Sequence, residues 1–279
     1  MPAGASRVPV VVLVHGSGAT DMDETVGACK PFRDLAWGLA ERGVAVVRYD
    51  KRTYVYPETI KNTTIDEETT DDAVSAIRLA GTLPEADPAR VYVAGHSLGA
   101  MMAPRIAERA RNVAGVVMLA APARDMREIV REQAAFLLPS GADSAFIGSI
   151  VAETERKAPQ YFSGTMAEYD RFATMRRLDI PFLILQGERD YQVRMADFNL
   201  WKSAVGRKKG VRMKSYPKLN HLFIEGGSGM STPIEYSKPG KVADYVIDDI
   251  ARFILEQPGK SGSAENSWGK ESISASERP

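Results

Sequence analysis

Cysteine and histidine are both scarce in these 279 residues, one of the first and three of the second. A single cysteine, Cys29, excludes an intrachain disulfide framework and fits a reducing compartment. No histidine stands beside it in sequence, so a structural role is expected for its thiol. Net charge is lacking too: 36 Lys and Arg balance 36 Asp and Glu, which removes any bulk attraction for nucleic acid or an anionic membrane. The short basic run Arg207-Lys208-Lys209 reads as a solvated loop. No apolar stretch approaches the length needed to span a bilayer, Val8 to Val14 being among the longest. Met1 to Arg7 shows no charged segment leading into an apolar one, so no secretory leader is expected and cytoplasmic residence is. Internal repeats are absent.

What is present is an alternation of short β-branched runs with helical patterns. Strands are expected at Val8–Val14, Val44–Tyr49, Arg90–Ala94, Ala114–Ala120, Ile180–Gln186 and Val211–Tyr216. Between them, Pro31–Arg42, the stretch from Asp66 through Leu79, Leu98–Arg111 and Ala196–Val205 carry helical spacing, and a last helix is expected over about Val242–Leu255. Continuously apolar strands separated by helices imply an α/β fold: a mostly parallel sheet of about six strands, covered on both faces. Residues 122–179 break the rhythm with three helix-like stretches, Asp125–Leu138, Ser144–Lys157 and Thr165–Leu178. That is too long for an ordinary connection and reads as a helical cap over the C-terminal edge of the sheet. The core is therefore expected at 1–121 and 180–257, with a disordered tail at 258–279, where apolar residues nearly vanish.

Gly95-His96-Ser97-Leu98-Gly99 follows a strand and opens a helix, the setting of a nucleophile elbow in which a sharp turn thrusts Ser97 out of the sheet. A serine hydroxyl needs a base. Of the three histidines, His15 lies after the first strand and His96 flanks the serine. His221, after the last strand, alone satisfies the chain order Ser, acid, His. The orienting acid is expected at the end of the preceding strand, in Gly187-Glu188-Arg189-Asp190. Asp190 is the candidate; its rival Glu188 reads as a surface charge paired with Arg189. The oxyanion donors are expected to be the backbone amides of Leu98, at the helix N-terminus, and Ser17, in His15-Gly16-Ser17-Gly18. His15 is expected to pin that loop, and Asp50 and Arg52 to brace the loops around it through ion pairs, with direct substrate contact as the alternative. Phe136, Tyr161, Phe162 and Tyr169 in the cap are candidate substrate-binding aromatics, with internal packing as the alternative. Met101 and Met102 are expected to pack beneath the sheet edge. No metal-ligand pattern stands out.

His15-Gly16-Ser17-Gly18, Tyr49-Asp50-Lys51-Arg52, the Gly95–Gly99 run, Gln186 to Asp190 and Asn220-His221 together resemble the bacterial esterases of the α/β-hydrolase superfamily. The likeness spans Val8 to Leu255 and extends to Asp23-Glu24-Thr25 and Ser231-Thr232-Pro233. Within the superfamily it resembles the serine carboxylesterases near dienelactone hydrolases and serine aminopeptidases. The resemblance implies hydrolysis of short-to-medium acyl esters of small molecules through an acyl-enzyme, with no metal or organic cofactor. Thioester hydrolysis, acyl transfer, peptide hydrolysis and a non-catalytic binding role on the same fold are the alternatives. One departure is that such esterases carry an N-terminal antiparallel strand pair, for which the seven residues before Val8 leave no room. A less protected sheet flank on the Val8 side is the expectation, with a homodimer contact or lower stability as its consequence.

Overall fold

The first strand shows why its apolar run is unbroken. Val10, Val12 and Val14 enter one apolar cluster, while Val11 and Leu13 enter another on the opposite face. A strand buried on both faces has no solvent-facing position to alternate into. The computed structural model describes residues 1–2, 4, 6–58, 64–139 and 143–257; the tail expected at 258–279 lies outside the described residues.

Along the chain run β1 (Val8–Val14), α1 (Pro31–Glu41), β2 (Ala45–Val47), the short α2 (Arg52–Val55), a π-helical turn Asp66–Thr70 continuing into α3 (Asp71–Ala80), β3 (Ala86–His96), α4 (Leu98–Ala110) and β4 (Gly115–Leu119). The helical insertion follows: α5 (Met126–Leu137), α6 (Ser144–Lys157), a 3-10 turn Pro159–Tyr161, α7 (Thr165–Glu168) and α8 (Arg171–Arg177). The chain then returns through β5 (Phe182–Gly187), α9 (Met195–Val205), β6 (Val211–Tyr216), a 3-10 turn Pro233–Ser237 and α10 (Asp244–Glu256).

The six strands form one sheet in the order β2-β1-β3-β4-β5-β6, and every pairing is parallel. Helices α1 and α10 supply the cluster on one face, and α3, α4 and α9 the cluster on the other. Strand β1 is interior, flanked by β2 and β3, so the flank expected to be open ends on β2. That strand is only three residues long, which leaves little ladder for an incoming chain to join. The opposite edge, β6, is blunted by exposed charges: Arg212 pairs with Glu256 and Lys214 with Asp249.

In the insertion, α5, α6 and α8 each begin on an aspartate. The Oδ1 atoms of Asp125, Asp143 and Asp170 accept from the amides of Arg127 (2.8 Å), Ala145 (3.1 Å) and Ala173 (2.8 Å). Such caps satisfy donors that a helix start leaves open. The cap at Asp170 corrects the expected helix Thr165–Leu178. Residues Tyr169 and Asp170 turn extended and restart the helix, giving α7 and α8 instead of one element. Helix α8 packs against α4 and α9, so part of the insertion is continuous with the main core.

Trp201 on α9 ties these layers together. It is fully buried, meets Phe172 of α8 edge-on at 4.8 Å, and donates its indole N–H to the Ala121 carbonyl at 3.0 Å. Among the described residues no helix is long and apolar enough to cross a membrane. Trp201→Ala is expected to cost about 3–5 kcal/mol, read as a lowered urea midpoint. Trp201→Phe should cost less, though still about 1–3 kcal/mol, because the Ala121 carbonyl loses its donor.

Candidate active site

Strand β3 occupies the middle of the sheet and ends at His96. The chain turns through Ser97 at φ 52° and ψ −119° directly into α4. A serine at positive φ holds strain of about 1–3 kcal/mol, tolerated where surrounding structure over-determines it. Here the Ser97 amide donates to the Leu119 carbonyl of β4 at 2.9 Å, and its carbonyl accepts from Met101 at 3.0 Å. The flanking glycines are steric requirements. A Cβ on Gly95 would run into the backbone of Gly99, and one on Gly99 into the carbonyl oxygens of Val14 and His15. Their absence lets the loop after β1 lie on the elbow, where a Cβ on Gly16 would stand 3.2 Å from that of Ser97.

His221 follows β6. Its Nδ1 lies 2.6 Å from Asp190 Oδ2, and its ring sits 4.6 Å, centroid to centroid, from that of His96, the neighbour of Ser97. The Asp190 carboxylate is buried and well supplied with donors. Oδ1 accepts from the amides of Gln192 (2.8 Å) and Val193 (3.0 Å), and Oδ2 from Gln186 Nε2 (3.2 Å). Glu188 is exposed and bonds to Ser215 at 2.7 Å. Arg189 pairs not with Glu188 but with Glu235, at 2.6 Å. The turn carrying His221 is organised by Asn220, whose Oδ1 accepts from Leu222 and Ile224. Gly187 gives that turn room, since a Cβ there would collide with the carbonyls of Leu219 and Asn220.

The loop 15–18 is held from every side but one. His15 Nε2 bonds to the Asp21 carbonyl at 3.0 Å, and burial depresses its pKa to about 4, keeping the ring neutral. The Gly16 amide donates to Glu24 Oε1 at 2.6 Å, and the Gly18 amide to the Tyr161 hydroxyl at 2.8 Å. Lys51, between the two residues expected to brace this loop, reaches beneath it to the carbonyls of Gly16 and Gly18. The Ser17 amide donates to no atom of the described residues. The first amides of a helix likewise lack intrahelical acceptors, so Leu98 offers a second free donor beside Ser97.

Two buried charge pairs lie under these elements, and neither was legible as such in the sequence. His96 Nδ1 lies 3.0 Å from Glu24 Oε2, and its Nε2 faces the His221 carbonyl at 3.0 Å. The carboxylate beside Nδ1 favours the charged form of the ring, although Nδ1 and Oε2 lie at ion-pair distance without the alignment of a hydrogen bond. Burial by itself would raise the Glu24 carboxyl, but the His96 charge brings it below its usual value. Burial would likewise depress His96, and the Glu24 charge lifts it above its own. The second pair is Lys51 with Glu68, 2.7 Å apart. Burial is the largest influence on Lys51 and draws its pKa down, against the pull of Glu68. Asp50 accepts from the Met22 amide at 2.8 Å, and Arg52 pairs with Asp72.

The cap aromatics separate. Phe136 stacks on Tyr191, next to Asp190, at 5.5 Å, and the Arg194 guanidinium lies over its ring at 5.2 Å. Phe162 and Tyr169 are buried in the main core, as are Met101 and Met102. Tyr161 is in that core too, with its hydroxyl turned to the loop after β1. Among the described residues no group of His, Cys, Asp and Glu is arranged to hold a metal ion.

Residues 11–229 match the family model described as the alpha/beta hydrolase family. The chain belongs to the alpha/beta hydrolase family. Esterase EstD of Thermotoga maritima is 40% identical over 268 residues, covering 92% of this chain and 64% of its own length. This alpha/beta hydrolase thus spans a little under two thirds of that relative. Est1E of Butyrivibrio proteoclasticus, solved with ferulic acid bound, has the same fold at a TM-score of 0.57 and 17% identity, covering 92% of each chain. So does the Pyrococcus furiosus esterase Pf2001, at a TM-score of 0.59 and 16% identity, covering 91% of this chain and 83% of its own.

The Glu24–His96 pair fixes a pH window. A raised His96 pKa gives stability that is complete below the ordinary value of 6.5 and lost as pH climbs through the raised one. A lowered Glu24 pKa gives stability that is complete above 4.5 and lost as pH falls through the lowered one. The urea midpoint should therefore decline above pH 6.5, and this decline should shrink in a Glu24→Gln/His96→Asn double variant. Glu24→Gln alone should cost about 3–5 kcal/mol, because it strands a buried charge.

Proposed function

We propose that this alpha/beta hydrolase is a serine carboxylesterase acting on short-to-medium acyl esters of small molecules through an acyl-enzyme on Ser97. The observation that carries the reading is the 2.6 Å contact of His221 Nδ1 with Asp190. Ser97, held at positive φ in a strand-to-helix turn, is linked to it by its neighbour His96, whose ring lies 4.6 Å from that of His221. A carboxylate on Nδ1 keeps the proton there and leaves the Nε2 lone pair for the serine hydroxyl. Ser97 Oγ attacks the ester carbonyl as His221 takes its proton. The charge that develops on the carbonyl oxygen meets the Leu98 and Ser17 amides, donors that need no reorganisation when it appears. His221 then protonates the departing alcohol. Water, losing a proton to the same nitrogen, attacks the acyl group and releases the acid. The esterase names of the Thermotoga relative and of the fold neighbours favour esters over the other acyl donors. The single cysteine favours a reducing, cytoplasmic setting.

Ser97→Ala should abolish the burst of p-nitrophenol from p-nitrophenyl butyrate and the labelling of the protein by a fluorophosphonate. Asp190→Asn should lower kcat about 10⁴-fold, since the imidazole would then be held in the wrong tautomer. Full activity in either variant, measured over a series of p-nitrophenyl esters, would overturn the assignment.

A further inference from the structure

The buried ammonium of Lys51 takes no part in the steps above, yet it is only 2% exposed and every one of its protons has an acceptor. Nζ donates to the Gly16 carbonyl at 2.8 Å, the Gly18 carbonyl at 2.9 Å and Glu68 Oε1 at 2.7 Å. An ammonium has three protons to give, so the site is saturated. Its geometry bears on the amide left free above. The Gly16 carbonyl and the Ser17 N–H belong to one peptide unit, and no peptide bond among the described residues is cis. In a planar trans unit the C=O and N–H point in opposite directions. An ammonium fastened to that oxygen from beneath therefore turns the Ser17 N–H away from the interior. It also withdraws electron density from the amide, which makes the N–H a stronger donor in surroundings of low dielectric.

The same charge is wired to the helical insertion. Glu68 Oε1, which receives Lys51, also accepts from the Tyr161 hydroxyl at 2.7 Å, and Oε2 accepts from Gln160 at 3.0 Å. The Tyr161 hydroxyl in turn takes the Gly18 amide. The two glycines of the loop are thereby fixed through three polar groups: the Gly16 carbonyl by Lys51, the Gly18 carbonyl by Lys51, and the Gly18 amide by Tyr161.

We propose that Lys51 is a positioning residue for the oxyanion hole. By gripping the carbonyls of Gly16 and Gly18 it aims the Ser17 N–H at the oxyanion formed on Ser97, and through Glu68 and Tyr161 it makes that aim depend on the docked insertion. The proposal rests on the esterase reading above.

Lys51→Met/Glu68→Gln removes the ammonium without stranding a buried carboxylate. In this variant kcat for p-nitrophenyl butyrate should fall about 10²–10³-fold, the range for loss of an oxyanion donor, with KM changed only a few-fold. Affinity for a trifluoromethyl ketone, which forms a charged hemiketal on the serine, should fall in parallel. Affinity for the matching methyl ketone should hold, a split that mere loosening of the fold does not produce. Tyr161→Phe, a milder change, should lower kcat and hemiketal affinity together by about fivefold, the effect of one net hydrogen bond; it decides the matter if the double variant fails to fold. A folded double variant with wild-type kcat, or a kcat loss without loss of hemiketal affinity, overturns the role of Lys51 while leaving the esterase reading intact. A wild-type protein that neither hydrolyses esters nor is labelled at Ser97 overturns both.

Discussion

A strand that must stop and become a helix within one residue imposes the geometry on which everything near Ser97 depends. The positive φ there is tolerable only because β3 is locked between β1 and β4 and α4 is buried along most of its length. The turn leaves no space for side chains at Gly95 and Gly99, and the backbone of the β1 loop occupies the space left at Gly99. Gly187 plays the same part for the turn that carries His221. The centre is thus assembled from close backbone approaches, each at a position where a methyl group would already be too much. Packing at interior density transmits such strain without absorbing it.

Backbone that comes this close must also be held, and buried charge holds it. Glu24 takes the Gly16 amide and Lys51 the Gly16 carbonyl, so both polar groups of one glycine end on an ionised side chain. Burying two ion pairs is a poor route to stability, because desolvation offsets much of the attraction. Their return is directional: charge-assisted bonds are short and strong enough to fix a peptide plane that neutral partners would leave free to rock. His96 extends the arrangement to the turn that carries His221, joining Glu24 to the His221 carbonyl.

The parts legible from residue order were those with few competitors. Three histidines, one downstream of the elbow, left His221 as the candidate base, and the strand ending at Gly187 brought forward Asp190, which the fold sets 2.6 Å from it. The sheet was legible because two-sided burial demands continuous apolar runs. Lys51, Glu24 and Glu68 were hidden for the opposite reason. In a chain with 72 charged residues a lysine or glutamate reads as surface until its burial is seen. Lys51 did carry a signal: it lies four residues past the end of β2, in the same short run as Asp50 and Arg52, and its ammonium reaches the β1 loop. The break at Asp170 was missed because helical spacing runs through it, and only the competing cap reveals the restart.

The hydrogen bond between Gly18 and Tyr161 joins residues 143 apart, and that between His96 and the His221 carbonyl joins residues 125 apart. Such closures come late and slowly, since the loop entropy is lost before the contact forms. On the ribosome Ser97 would emerge far ahead of His221, and the Gly18 amide ahead of the tyrosine that accepts from it. On the proposed mechanism, the nascent chain would carry a nucleophile without its base for most of its synthesis. On that mechanism chain order acts as a built-in delay, and a fragment released before residue 221 would be inert at Ser97.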